Sequence, residues 1–187
     1  MNKRFFTILL LFAVLLSAHA QEDAASTPEA AAASELPNSF RQFSIGMNID
    51  SLKTALKDDS LFVFRGDQDV SYLPVTEQNL VESAGSSYIK RAFFQLKDNA
   101  VFIMAFTMNT ELIDHYSIFM SFVKKYGQPS VLNPKEAIWE SESVRISIER
   151  PLVVKYIDKK VFNTLIDNSE ALNSKKSEIR DSFLENF

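Results

Sequence analysis

Few side chains in this 187-residue chain are suited to acid–base or metal chemistry. There is no cysteine, and there are two histidines, His19 and His115. His19 falls in an N-terminal segment read below as cleaved, which leaves His115 alone. The common zinc and copper sites draw on several Cys and His ligands, so a single imidazole excludes them. A general base also needs a partner nucleophile within reach, and no nucleophile-elbow sequence accompanies His115. On a helical wheel it sits at the border of an apolar face near Phe122 and Tyr126, with Asp114 pointing elsewhere, and it reads as a packed edge histidine.

The remaining motifs are weaker. Asp67-Gln68-Asp69-Val70-Ser71 begins like a calcium-binding EF-hand loop, but Tyr72 stands where the turn needs glycine and Gln78 where the bidentate glutamate belongs. It reads as a polar surface loop. Gly46, Gly66, Gly85 and Gly127 are too scattered to cradle a phosphate. Arg65-Gly66-Asp67 matches the tripeptide of some adhesion ligands, yet Gly66 has the simpler role of a turn after a strand. Asp58-Asp59 and Glu140/Glu142 read as surface charges. No catalytic, cofactor-binding or metal-binding residue is assigned, and no cofactor is expected.

The elements that hold these residues follow from composition and pattern. Residues 1–20 form a cleavable signal peptide: Lys3 and Arg4 open it, an apolar run follows, and Ala18-His19-Ala20 is a small-residue cleavage site. The run is too short for a permanent anchor. Gln21 follows the cut where lipidation would need cysteine, so the product is expected to be exported, with no lipid anchor and no transmembrane segment. Loss of Lys3 and Arg4 takes the net charge from −4 to −6, which does not suit nucleic acid. A short leader and a cysteine-free chain are bacterial in style, making the periplasm the expected destination. Residues 21–38 read as a disordered Ala/Glu/Ser/Pro linker with Leu36 as its one large apolar side chain. Residues 39–168 form a single domain, large enough to fold without disulfides.

Within the domain, Asn48 caps a short helix over 49–57, and 61–64 is a strand. Residues 67–87 are the least regular part, with one strand at 70–75. Residues 88–96 and 100–108 are strands joined by a tight turn at Lys97-Asp98-Asn99, and the second, apolar on both faces, is central and covered twice. A second helix begins at Asn109 or Thr110 and stops at Gly127 and Pro129, with Leu112, Ile113, Tyr116, Phe119, Met120 and Val123 facing the sheet. Strands at 137–140, 144–150 and 152–157 follow, and Asp158 caps a helix bearing Phe162, Leu165 and Ile166. The result is an α+β fold: an antiparallel sheet of about five to six strands packed with two to three helices, in two loosely similar helix-then-strands halves. Residues 169–187 form a peripheral amphipathic helix whose Leu172, Ile179, Phe183, Leu184 and Phe187 make the candidate partner-docking stripe.

Ile45-Gly46-Met47 before the first helix, and Tyr126-Gly127-Gln128-Pro129 with Ile138-Trp139 after the second, resemble the small α+β envelope domains of the SmpA/OmlA outer-membrane assembly group. They are also similar to the tandem-repeat β-lactamase inhibitor proteins. The resemblance implies protein binding through a sheet face instead of catalysis. The leading reading is a non-enzymatic exported module that binds another envelope or exported protein or supports envelope assembly. The second is a carrier of an apolar small molecule in a cavity between sheet and helix, suggested by the many phenylalanines, and an enzyme stands third. The intact mass of protein recovered from the exported fraction should correspond to a chain starting at Gln21 with no acyl addition. A mass that retains Lys3 and Arg4 contradicts the cleavage reading.

Overall fold

The computed structural model describes residues 35–73 and 78–184. The signal segment, the linker up to residue 34 and Phe187 lie outside the described residues. In chain order, β1 (Ser39–Phe40), β2 (Phe43–Ser44) and helix α1 (Ile49–Asp58) precede β3 (Phe62–Val63), β4 (Val70–Leu73), β5 (Gln78–Gly85), β6 (Ile89–Lys97) and β7 (Ala100–Met108). Helix α2 (His115–Tyr126) opens a second series of β8 (Val131–Leu132), β9 (Glu136–Glu140), β10 (Val144–Glu149) and β11 (Val153–Asp158), closed by helix α3 (Lys159–Leu184).

The fold is α+β, with one sheet in the order β3-β5-β6-β7-β11-β10-β9-β8 and β4 beside β5. Its nine strands exceed the expected five to six. Most of the surplus comes from the stretch read as irregular, where β5 runs for eight residues. Its inward positions include Val81 and a fully buried Ser83, so polar side chains hide the alternation that marks a strand. The two halves meet where β7 and β11 pair antiparallel, from Ile103 opposite Ile157 to Thr107 opposite Val153. From that seam the strands run outward in each half's reverse order.

Local chemistry explains the elements that were read correctly. The Asn48 side chain accepts the Ser51 N–H at 2.9 Å, and Leu52 and Leu56 of α1 are fully buried. Asp98 and Asn99 both take positive φ, 51° and 65°, the conformation a two-residue β6–β7 turn needs to match strand twist. The core lies on the face of the sheet that α1, α2 and the β1–β2 pair cover. Phe106 of β7 is its centre, with the rings of Phe40, Phe62, Phe94 and Tyr156 all within 6.4 Å of it.

Other expectations need correction. Leu36, read as part of the linker, is buried in the core, and Asn38 accepts the Ile45 N–H, so the ordered chain begins before residue 39. Strand β7 is central but not covered twice: Met104 and Phe106 are buried in the core, while Ile103 and Ala105 line an open groove on the opposite face. Helix α2 starts at His115, because Asn109 is spent on a turn that takes the Leu112 and Ile113 N–H groups on its carbonyl. Asp114 is the cap, accepting the Ser117 N–H at 2.8 Å. The helix therefore turns Ile118, Phe119, Phe122, Val123 and Tyr126 to the core and leaves Tyr116 and Met120 outside. Residues 169–184 continue α3 without a break, from an Asp158 cap that accepts the Val161 N–H at 3.0 Å.

Gly85 ends β5 where the Ile89 backbone passes, and a Cβ there would lie 2.2 Å from the Ile89 carbonyl oxygen. Backbone on both sides leaves no flexible atom to give way. Gly85→Ala should cost about 2 to 3 kcal/mol, seen as a lower urea midpoint at unchanged slope.

Candidate functional site

Most residues with chemical potential are engaged in holding the fold. Asp69 is buried and accepts the Arg65 N–H at 2.8 Å and the Arg65 guanidinium at 2.6 Å. Asp67 takes the Lys53 ammonium at 2.7 Å, and that contact lowers its pKa. Both outer residues of Arg65-Gly66-Asp67 and both acids of the EF-like stretch are thereby tied to neighbours. Gly66 supplies the left-handed turn at φ 79°. Asp59, expected on the surface, is buried: it ends α1, accepts Arg41 Nε at 2.8 Å and takes the Leu61 N–H at 2.9 Å. Among the described residues, no three His, Cys, Asp or Glu side chains converge to hold a metal.

His115 is half-buried in a cleft of about 470 Å³ between the start of α2 and the β8–β9 edge. The polar groups around it are spent locally. Asp114 caps α2, Asn133 accepts the Lys135 and Glu136 N–H groups, and Arg150 Nε donates to the Pro134 carbonyl at 2.9 Å. Burial first, then the Arg150 charge, holds the His115 pKa below its ordinary 6.5, with Asp114 pulling the other way. The imidazole is therefore mostly neutral at pH 7. Two apolar side chains of the cleft wall are wet, Tyr116 at 69 % and Leu132 at 65 % exposure, and Leu112, Met120 and Val131 are exposed as well. Strand β8 forms the outer edge of the sheet, bonded to β9 alone.

Two further surfaces remain. The uncovered sheet face holds a groove of about 380 Å³ with Phe93, Ile103, Ile138 and Ile157 as its floor. Its charges are matched internally: Lys155 meets Glu149 at 2.6 Å, and Glu140 takes Arg145 and, at 3.6 Å, Lys159. Helix α3 is the other. Across its 26 residues none is buried, and every residue from Ile166 to Leu184 is exposed. Leu172, Ile179, Phe183 and Leu184 of the expected docking stripe lie on it, each 57 % exposed or more, while Phe187 is outside the described residues. No helix among the described residues is long and apolar enough to cross a membrane.

Each glycine motif fastens a helix end to the sheet of its own half. Gly46 N–H donates to the Val101 carbonyl at 2.7 Å and Val101 N–H to that of Met47 at 2.9 Å, which fastens the entry to α1 onto β7. Gly127, at φ 78°, ends α2, and its carbonyl accepts the Trp139 indole N–H at 2.9 Å. Sequence reasoning missed the α2–β8 patch, and the signal that could have found it was a second good capping residue, Asp114, five positions after Asn109.

The family model of the TP0088 domain matches residues 38–168. No curated protein and no solved structure gives a significant match.

His115 and Arg150 supply a test of the cleft geometry. Arg150→Gln removes a repulsive charge, so the His115 pKa should rise toward 6.5 while burial still keeps it below, as followed by imidazole NMR titration. With its pKa lowered on folding, this histidine binds fewer protons folded than unfolded, and its contribution to stability is lost as pH falls below 6.5. The variant should lose less. An unmoved pKa would place Arg150 away from the imidazole.

Proposed function

The chain belongs to the TP0088 domain family, and from the surfaces of that domain we propose that it is a non-enzymatic exported module that binds another protein or supports envelope assembly, docking through α3. The observation that carries this is a helix whose last five turns, Ile166 to Leu184, are exposed along their whole length. Short isolated helices are marginal in water, and helices in proteins draw most of their stability from packing an apolar face. Ser169, Asn173, Ser174 and Ser177 in the middle of α3 are mediocre helix formers, so propensity does not make up the difference. Leu172 and Ile179 recur seven residues apart with Leu184 near the end, a spacing that suits the apolar groove of a partner protein. Lys175, Lys176, Glu178, Arg180 and Asp181 keep the rest of the surface wet.

Tyr116 and Leu132, exposed together on the cleft beside edge strand β8, support the same reading, since large apolar side chains exposed together on a well-packed domain mark interaction sites. The leader sequence makes the partner an envelope or exported protein, and the resemblance of the glycine motifs to small envelope domains points the same way.

Truncation after Asp167 separates docking from self-packing. The shortened protein should melt within a few degrees of the full chain yet lose at least tenfold in affinity for the partner that the full chain captures from its own envelope. Leu172→Ser with Ile179→Ser, which keeps the helix length, should give the same loss. A large fall in melting temperature with aggregation would show that α3 covers the domain's own sheet, and unchanged capture by both variants would move the interface elsewhere.

A further inference from the structure

Between α2 and the core face of the sheet lies a cavity of about 230 Å³, lined by Phe40, Phe106, Ile118, Phe122, Tyr126 and Tyr156. An engineered apolar cavity of about 150 Å³ is enough to admit benzene. Two phenols border this one, those of Tyr126 and Tyr156, and Tyr156 is the more deeply buried. Tyr156 is 3 % exposed, and its hydroxyl makes no hydrogen bond among the described residues. Because no fully inaccessible side-chain oxygen or nitrogen lacks a partner, the phenol oxygen must reach open space, and the cavity is the space it borders. Burial and the nearby Tyr126 phenol both push the Tyr156 pKa up, so the group is a neutral O–H donor at any physiological pH. The opening runs past Ser117, Ser121 and Lys125 on the solvent side of α2, which gives a route in from water.

We propose that this cavity is a binding site for a small apolar molecule carrying one hydrogen-bond acceptor, held by aromatic packing and by the Tyr156 hydroxyl. A buried donor without a partner is costly, and an acceptor on the ligand removes that cost while its apolar body fills the void. The volume limits the ligand to about the size of a substituted benzene or a short acyl chain. The site is separate from the α3 stripe.

Two probes of the same shape test it on the full mature chain: acetophenone, which has a carbonyl acceptor, and α-methylstyrene, its hydrocarbon counterpart. Amide NMR titration should show both perturbing α2 and β11, with acetophenone the tighter. Tyr156→Phe keeps the ring and should weaken acetophenone roughly 3- to 10-fold while leaving α-methylstyrene unchanged. Ser121→Trp, at an exposed position by the mouth, should abolish binding of both without lowering the melting temperature. Absence of saturable binding by either probe, as for a cavity that holds only water, would overturn the proposal. So would equal weakening of both by Tyr156→Phe, or binding that survives Ser121→Trp.

Discussion

The antiparallel ladder between β7 and β11 is the constraint on which the rest of the structure depends, because among the described residues it is the one strand pairing that joins the two halves of the sheet. Its residues serve two faces at once. Toward the core it sets Met104 beside Tyr156 and Phe106 beside Val154, and Phe106 then gathers rings from both halves. On the opposite face the same pairing lays Ala105 against Lys155 and Ile103 against Ile157, the floor of the open groove. A one-residue slip would exchange these sets, driving Lys155 into the aromatic centre. The register is therefore specified strongly by burial on one face.

From this seam outward, the division between structural and functional surface is a matter of which groups have been used. The acids and bases of the first half hold turns and helix ends, and those of the uncovered sheet face pair with each other. Large apolar side chains stay exposed on the flank of α2, on β8 and along α3.

Where a residue's chemistry settles its own backbone, the fold was legible from sequence. Asp98-Asn99 tolerates left-handed φ, Asn48 accepts an orphan N–H, Gly127 ends a helix, and Val144, Ile146 and Ile148 alternate because β10 has one dry face. Reading failed where tertiary context decides. Ser83 is buried because it shares the core face of β5 with Val81. Two residues able to cap preceded α2, and starting at the earlier one counted Leu112 and Ile113 into the helix, which centred its apolar face on the side of Tyr116 and Met120. Leu36 looked like an isolated residue in a polar linker until a pocket in the core received it. Of the candidate site, the α3 stripe followed from spacing, while the cavity did not, since aromatic residues around a void and around a solid core make the same pattern.

The contact between Trp139 and Gly127 has an optical consequence. The chain has one tryptophan, 2 % exposed, packed on Phe119 and Phe122 with its N–H on the carbonyl that ends α2. All indole emission from the protein thus originates at a single joint between helix and sheet. A dry, hydrogen-bonded indole emits at shorter wavelength than one in water, so separation of α2 from the sheet shifts the entire tryptophan signal to the red, with no second fluorophore of that class to dilute it.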